Sequence, residues 1–284
     1  MSNKLRVGVV GVGYLGRFHA LIYSRMDNVE LVGVVDTNPE TAARVAGECA
    51  CSAFERSGDL LGKVDAVSIV VPTTAHLDEA RPFLQAGVHM LLEKPIASTV
   101  EDGAEIVRLA EAAGVILQIG HLERFNAGVM ALAERINRPR FIEAHRMGGF
   151  VERATDVDVV SDLMIHDIDI ILSLVKSEIT AISAVGTPVL TAHVDIANAR
   201  LEFANGTVAN VIASRVSEKR MIRLLEFDEN LYESHDCIDQ LNATAYPILR
   251  HDKLLARVAM VRLHIGPGPA LAASHEVLTR CPHR

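Results

Sequence analysis

Residues 5–16 read LRVGVVGVGYLG, an apolar run followed by three glycines with the spacing G-x-G-x-x-G. The run has the composition of a buried strand, and the amphipathic segment after it has helical spacing. Gly11 permits a tight turn, Gly13 lets the backbone approach a pyrophosphate, and Gly16 lets the helix pack closely on the strand. Free N–H groups at the start of the helix attract an anion. The stretch therefore predicts a dinucleotide-binding turn.

A second predicted strand, Leu31–Val35, ends in Asp36, which lies 20 residues after Gly16. In a dinucleotide-binding fold, a carboxylate at this distance hydrogen-bonds the ribose of NAD. The alternative interpretation is a glycine-rich turn that an acidic residue follows by chance. The next residues, Thr37 and Asn38, carry no positive charge that could hold the 2′-phosphate of NADP. We therefore predict NAD as the cofactor.

From residue 5 to residue 120, short apolar runs alternate with longer amphipathic segments, which is the pattern of βαβ units in a parallel sheet. The predicted strands are Leu5–Val10, Leu31–Val35, Ala66–Val71, His89–Leu92 and Val115–Ile119. The predicted helices are Leu15–Met26, Pro39–Gly47, Ala75–Ala86 and Val100–Ala113. We expect an α/β protein whose residues 1–120 form a doubly wound parallel sheet with helices on both faces.

Polar residues follow two of these strands at the edge where open α/β sheets bind ligands. In Val71-Pro72-Thr73-Thr74-Ala75-His76 the hydroxyls either contact the cofactor or cap the next helix, and His76 is either a site residue or a surface histidine. In Glu93-Lys94-Pro95 the lysine carries a movable, titratable ammonium that can hydrogen-bond a reacting hydroxyl. Lys94 is therefore a candidate catalytic residue, with a packing role as the alternative.

The pattern of the sequence changes in its second half, so we place a domain boundary near residue 120. The segment Asp156–Val175 has the spacing of a helix. Asp162, His166 and Asp169 recur in it at intervals of four and three residues and share one helix face. A carboxylate one turn from an imidazole can orient it for proton transfer. The alternative is a solvated polar stripe.

Residues 121–284 are predicted to form an α+β domain with a mostly antiparallel sheet. Its predicted strands are Phe141–Arg146, Ala181–Val185, Ala197–Phe203 and Thr207–Ser214, with a hairpin turn at Asn205-Gly206. From about residue 228 the periodicity fails, although five of the twelve histidines lie there. We expect an atypical tail of the kind that a frameshift or a truncation produces, which would leave the sheet incomplete.

The composition excludes several classes of function. The 28 basic and 36 acidic residues give a net charge of −8, so we predict no binding of nucleic acid. No apolar run approaches the roughly 18 residues of a membrane span, and we expect a cytoplasmic protein without a membrane partner. Cys49 and Cys51 form a C-x-C pair without a second pair at metal-ligand spacing, so we predict reduced thiols and no metal.

Taken together, these motifs resemble the glucose–fructose oxidoreductase/inositol dehydrogenase/MocA (Gfo/Idh/MocA) family over about residues 4–225, and Glu93-Lys94-Pro95 is the most specific of them. The resemblance implies an N-terminal Rossmann domain that binds NAD. It also implies a C-terminal domain that shelters the substrate and joins subunits into a homo-oligomer through its sheet. This sequence carries Met164 where the family has glycine, which is expected to reshape the helix surface near the sugar.

The motifs and the resemblance together assign three sets of site residues. The catalytic residues are Lys94, Asp162 and His166. The cofactor-binding residues are Gly11, Gly13, Tyr14, Leu15, Gly16, Asp36, Val71, Pro72, Thr73, His76, Glu93 and Lys94. The substrate-binding residues are Lys94, Arg124, Asn126, Asp162, His166 and Asp169. Among these, Arg124 offers bidentate geometry to a diphosphate, and an ordinary surface ion pair is the alternative.

Within the family, the segments around Arg124 and His166 most resemble the nucleotide-sugar 3-dehydrogenases. We therefore expect hydride transfer to NAD from a sugar ring carbinol, at C3 of a UDP-N-acetylhexosamine. His166, oriented by Asp162, would take the hydroxyl proton, while Lys94 would stabilise negative charge on the same oxygen; either could be the base. The alternatives are a dehydrogenase of a free sugar or polyol such as an inositol, and a non-catalytic NAD-binding regulatory protein.

Overall fold

The computed structural model describes residues 4–136, 138–150, 157–218, 221–227, 232–236, 242–245 and 259–262. The chain divides into two compact units, Met1–His121 and Leu122–Arg284. Each unit has a sheet and hydrophobic core of its own.

The described residues of the N-terminal unit form a six-stranded parallel sheet with helices between the strands. The strands are β1 (Leu5–Val10), β2 (Val29–Val35), β3 (Ser52–Phe54), β4 (Ala66–Ile69), β5 (His89–Leu92) and β6 (Leu117–Ile119). The helices are α1 (Tyr14–Tyr23), α2 (Pro39–Cys49), α3 (His76–Gln85) and α4 (Val100–Ala113). The strand order is β3-β2-β1-β4-β5-β6. This order confirms the predicted doubly wound, Rossmann-type sheet.

The central strands carry the apolar residues that burial on both faces requires. In β1 the last four residues, 7–10, are buried, and in β4 residues 67–69 are buried. The sequence pattern does not predict β3, because this strand has three residues and two of them are exposed. The predicted strand Ala66–Val71 ends at Ile69 in the structure, since the chain bends after that residue.

The described residues of the C-terminal unit form an eight-stranded mixed sheet. The strands are β7 (Phe141–Met147), β8 (Ile179–Thr187), β9 (Ile196–Phe203), β10 (Val208–Ser214), β11 (Met221–Phe227), β12 (Tyr232–Asp236), β13 (Asn242–Ala245) and β14 (Ala259–Arg262). Their order is β13-β14-β12-β11-β7-β10-β9-β8. Five of the seven pairings between these described strands are antiparallel, which confirms the predicted mostly antiparallel sheet.

One face of this sheet packs against helices. The helices are α5 (Ala127–Arg135) and α6 (Ile165–Leu174), and a π-helical turn, Val160–Met164, leads directly into α6. Along β9 the odd-numbered residues 197–203 are buried and the even-numbered ones are exposed. The buried set shares one core cluster with Ile170 and Ile171 of α6. The alternation places the core on one side of the sheet and leaves the other side open.

The predicted atypical tail from about residue 228 falls mostly outside the described residues. The described residues beyond that point form the short strands β12, β13 and β14. Nowhere in the described parts of the chain is a helix long and apolar enough to cross a membrane.

Candidate active site

Close packing requires two glycines of the dinucleotide turn. Gly11 has a φ of 81°, in the left-handed region, and a Cβ added there would lie 2.5 Å from the carbonyl oxygen of Val70. A Cβ on Gly16 would lie 1.8 Å from the carbonyl oxygen of Gly11. A larger residue at either position would therefore push the start of α1 away from the sheet.

Gly13 leaves the start of α1 open to an anion. A Cβ built on Gly13 would meet no atom of the described residues within 4 Å. Gly13 is the N-cap of α1, and no side chain of the described residues caps this helix, whereas Asn38, Thr99 and Asn126 cap α2, α4 and α5. Uncapped N–H groups and the helix dipole attract negative charge, so this end of α1 fits the pyrophosphate of NAD.

Asp36 is held in place beside the glycine turn. Its Oδ2 accepts a hydrogen bond from the backbone N–H of Val12 at 2.9 Å, and its Oδ1 accepts one from the N–H of Asn38 at 2.9 Å. A carboxylate has about four acceptor sites, so capacity remains for the ribose hydroxyls of a dinucleotide. The carboxylate thus joins the end of β2 to the turn after β1, and its predicted contact with the ribose stays a prediction.

The sheet changes its winding direction between β1 and β4, where open α/β sheets bind their ligands. Gly11 follows β1, and Val71-Pro72-Thr73 follows β4, so both predicted cofactor segments lie at this point. Thr73 begins a short turn, Thr73–Ala75, and in the described chain no side-chain hydrogen bond caps this turn or α3. Helix capping therefore does not account for the Thr73 hydroxyl, whose contact with the cofactor stays a prediction.

His76 is a buried histidine with 1% of its surface exposed, so the surface alternative is wrong. Its Nε2 lies 3.1 Å from the carbonyl oxygen of Val71, and its Nδ1 lies 3.3 Å from that of Ile96. The ring therefore joins the segment after β4 to the segment after β5. Both nitrogens face backbone oxygens, so we expect His76 to affect the cofactor through the position of Val71.

Glu93 and Lys94 follow β5, the neighbour of β4 in the sheet. Glu93 is 7% exposed, and its Oε2 accepts a hydrogen bond from the backbone N–H of Lys94 at 3.2 Å. The peptide bond between Lys94 and Pro95 is cis. A Cβ on Gly120 would lie 2.7 Å from Oε1 of Glu93, so the carboxylate packs directly on the backbone after β6. The glutamate is thus a buried support beneath the predicted catalytic lysine.

The sequence analysis did not identify His19, a histidine that contacts Glu93. The side chain of His19, on α1, is 11% exposed; its Nε2 lies 3.4 Å from Oε1 of Glu93 and its Nδ1 lies 2.8 Å from Oγ of Ser68. The available clue was Ser68 itself, a polar residue inside the apolar strand β4. It is fully buried, and a buried hydroxyl requires a hydrogen-bond partner.

In the C-terminal unit, Asp162 lies in the π-helical turn and His166 lies in the first turn of α6. Both residues are half-buried. Oδ1 of Asp158 accepts a hydrogen bond from the N–H of Ser161 at 2.7 Å and so holds the start of the turn. The predicted pair therefore occupies successive turns of one continuous helix. π-Helical turns are rare and occur frequently at functional sites.

Met164 departs from the family pattern, and the structure corrects its expected effect. Its side chain is 2% exposed and belongs to the hydrophobic core of the C-terminal unit. The expectation that Met164 reshapes the helix surface near the sugar is therefore wrong, because the helix turns this side chain inward.

Arg124 and Asp169, both assigned to the substrate, bind each other. Nε and Nη2 of Arg124 donate to the two carboxylate oxygens of Asp169 at 2.7 and 2.6 Å. These hydrogen bonds raise the pKa of Arg124, against the opposing effect of burial. The Asp169 side chain is 8% exposed, whereas that of Arg124 is 47% exposed. Nearby, Oδ1 of Asn126 accepts a hydrogen bond from the N–H of Gly128 and caps α5.

Two further ionic contacts, not predicted from the sequence, hold the helix that carries His166. Asp167 forms a buried bidentate pair with Arg146 of β7. Arg215 donates from Nη2 to the carbonyl oxygen of Val157 at 2.6 Å, and its Nε lies 3.6 Å from Oδ1 of Asp195. Burial alone would raise the pKa of Asp195, but hydrogen bonds from the loop before it lower that pKa. The alternation of apolar and polar residues along a strand predicts only whether a side chain points into the core or away from it.

Two family models match the chain over most of its length. The NAD-binding Rossmann fold of the Gfo/Idh/MocA oxidoreductase family matches residues 5–121, and the Gfo/Idh/MocA C-terminal domain matches residues 129–228. These matches confirm the resemblance found in the sequence and confirm NAD as the cofactor.

Characterised relatives cover both units. The chain is 42% identical to UDP-N-acetylglucosamine 3-dehydrogenase from Acidithiobacillus ferrooxidans over 243 residues, which are 85% of this chain and 76% of that enzyme. The structure of that enzyme superposes with a TM-score of 0.78 over 82% of this chain and 77% of the other. An NAD-dependent scyllo-inositol 2-dehydrogenase from Bacillus subtilis is 29% identical, over 76% of this chain and 69% of its own length. The chain therefore belongs to the Gfo/Idh/MocA family of NAD-binding oxidoreductases.

Proposed function

We propose that this chain is an NAD-dependent dehydrogenase that oxidises C3 of UDP-N-acetylglucosamine or a closely related UDP-N-acetylhexosamine. The observation that carries the proposal is its 42% identity, across both units, to UDP-N-acetylglucosamine 3-dehydrogenase. The dinucleotide turn, the strand-end lysine and the Asp162/His166 pair supply the groups that such a reaction needs.

The predicted domain of residues 1–120, which is the N-terminal unit without His121, would hold the cofactor. NAD, when bound, accepts a hydride from the carbon that is oxidised. The uncapped start of α1 beside Gly13 supports binding of the pyrophosphate, and the fixed carboxylate of Asp36 supports binding of the ribose. Tyr14 and Leu15, which open α1, are 72% and 49% exposed and so remain accessible to a cofactor.

Residues 121–284 would hold the sugar and remove its proton. The hydroxyl on the reacting carbon loses a proton as the hydride leaves, so a base must receive it. His166 is assigned this role with Asp162 orienting the imidazole, because both lie on successive turns of one helix. Lys94 is assigned to stabilise negative charge on the same oxygen. Lys94 and His166 could each serve as the formal base.

Arg124 would contact the diphosphate of the nucleotide sugar. Its Nε and Nη2 are bound by Asp169, which fixes the plane of the guanidinium, and about half of the side chain stays exposed. A fixed guanidinium loses little rotational freedom on binding an anion. The ion pair with Asp169 is the alternative that the sequence left open for Arg124, so its contact with a diphosphate stays a proposal.

A turnover assay with the purified chain tests the function. With NAD and UDP-N-acetylglucosamine deuterated at C3, we expect NADH to form and to carry the deuterium. Relatives named inositol 2-dehydrogenases, which are 27–31% identical, make inositols the second candidate substrate. Turnover of an inositol and not of the UDP-sugar would overturn the proposal in favour of a polyol dehydrogenase. NAD binding without turnover of any of these substrates would favour a regulatory protein.

We also propose a cytoplasmic homo-oligomer joined by the outer face of the C-terminal sheet. The edge strand β8 is exposed along its whole length, and its Val185, which pairs with the outward-facing Asn198 of β9, is 67% exposed. A cavity of about 450 Å³ opens beside it and is lined in part by Glu143, Asn198 and Arg200. Uncharged exposed edges are normally covered in stable proteins. Light scattering should report an oligomer, and Val185→Glu should shift it to monomer.

A further inference from the structure

The Glu93 carboxylate is fixed by three different parts of the N-terminal unit. Its Oε2 accepts the backbone N–H of Lys94 at 3.2 Å. Its Oε1 lies 3.4 Å from Nε2 of His19, which belongs to α1. The backbone at Gly120, after β6, leaves no room for a Cβ beside the carboxylate. The position of Glu93 therefore depends on α1 as well as on its own strand.

His19 is itself held on its other side. Its Nδ1 lies 2.8 Å from Oγ of Ser68, which is fully buried on β4. The imidazole thus sits between a buried serine and a buried carboxylate.

These contacts favour one tautomer of the His19 imidazole. A carboxylate is an acceptor, so the tautomer of His19 with its proton on Nε2 suits the 3.4 Å contact with Oε1 of Glu93. The Nδ1 of that tautomer accepts from the hydroxyl of Ser68 at 2.8 Å. Because His19 contacts both Ser68 and Glu93, we expect the loss of one of these side chains to affect the others.

We propose that His19 is a positioning residue for Lys94 and acts on it through Glu93. The inference rests on the proposed function, in which Lys94 acts on the substrate oxygen. α1 begins at the glycine turn that would hold the pyrophosphate, and Lys94 follows β5. The contact between His19 and Glu93 therefore links the helix that begins at the cofactor turn to the segment that carries the catalytic lysine. Errors of about 1 Å in such positions cost rate by up to about a hundredfold.

A double-mutant cycle in the full chain tests the proposal. His19→Ala should lower kcat about tenfold and change the Kd for NAD less than threefold. In a Glu93→Ala background, His19→Ala should cause no further loss of kcat, because its effect passes through Glu93. His19→Gln, whose amide can still donate to Glu93, should recover part of the lost kcat. His89→Ala is the matched control, since its Nδ1 accepts from the N–H of Ile116 at the opposite end of β5.

Thermal unfolding of the same variants without cofactor gives a readout that does not depend on activity. The Tm loss of the His19→Ala/Glu93→Ala double variant should be smaller than the sum of the two single losses. If His19→Ala fails to fold, Ser68→Ala frees the imidazole instead and should lower kcat in the same direction. Additive losses of Tm, or an equal kcat loss with and without Glu93, would overturn the proposal. An inactive wild type with coupled Tm losses would instead overturn the proposed function and leave this contact standing.

Discussion

Arg146 and Asp167 form a bidentate ion pair inside the C-terminal unit, with Nε–Oδ2 and Nη2–Oδ1 distances of 3.0 and 2.8 Å. The side chains are 7% and 5% exposed. The pair joins β7 to α6 at the residue that directly follows His166. Because both charges are shielded from water, each depends on the other for its stabilisation.

Asp167→Ala should lower the free energy of unfolding by about 3 kcal/mol, because it leaves the Arg146 guanidinium buried without its carboxylate. The double variant Arg146→Met/Asp167→Leu should lose much less, since neither charge remains. Urea titration measures the free energy of unfolding of both variants. Arg56→Ala breaks an exposed pair with Asp59 and serves as the control, with a loss of at most about 1 kcal/mol. Equal losses in the single and double variants would contradict this account.

Asp36→Ala should weaken NAD binding about tenfold, because it removes a charged acceptor from the ribose hydroxyls. NADP binding should weaken less or improve, since the repulsion of the 2′-phosphate disappears with the carboxylate. Calorimetry with each cofactor gives the two Kd values. Equal losses for both cofactors would show that Asp36 supports only the turn through the N–H of Val12.

Lys94→Ala should lower kcat about a hundredfold, which is the usual contribution of a positioned acid–base or charge-stabilising group. The Kd for NAD should change little, because the pyrophosphate and ribose contacts lie elsewhere. Steady-state kinetics and calorimetry separate the two effects. Lys63→Ala, an exposed lysine of the same unit, is the matched control. An unchanged kcat would remove Lys94 from the mechanism.

Asp162 and His166 should act as one unit. Either single alanine substitution should cut kcat sharply, while the double variant should lose much less than the product of the two losses. The rise of kcat with pH should disappear in His166→Ala, because an imidazole must be neutral to accept a proton. The dependence of kcat on pH in the wild type and in each variant shows whether His166 is the base. Multiplicative losses, or a pH profile that persists without His166, would leave Lys94 as the base.

Asp195→Asn should make the Tm of the protein depend less on pH in the acid range. Burial opposes ionisation of Asp195, but hydrogen bonds from residues 189–191 outweigh it and lower the folded-state pKa below its ordinary 3.8, so the stabilisation is complete above that pH. The stabilisation then declines as the pH falls towards the lowered folded-state pKa. The Tm difference between wild type and Asp195→Asn should therefore be largest near pH 7 and shrink below about pH 4. A Tm difference that stays constant down to pH 2 would contradict this assignment.

Features that depend on local backbone geometry could be predicted from the sequence. The spacing of Gly11, Gly13 and Gly16 indicated a dinucleotide turn because each glycine meets a steric demand of that turn. The apolar runs of β1 and β4 indicated a buried parallel sheet, and the chain order then placed Asp36 and Lys94 at strand ends. A three-residue strand such as β3 is too short to produce a detectable pattern.

The partner of each polar side chain was decided by tertiary structure. His19 and Glu93, Arg124 and Asp169, and Arg146 and Asp167 come from different elements that only the sheet order and helix packing bring together. Periodicity placed Asp169 on the face of His166 but could not show that Arg124 binds it. Met164 lies two residues from both Asp162 and His166, which places it on the opposite side of the helix, and only the packing of that helix shows that this side faces the core. Local spacing specifies which residues share an element, whereas long-range packing specifies what each side chain contacts.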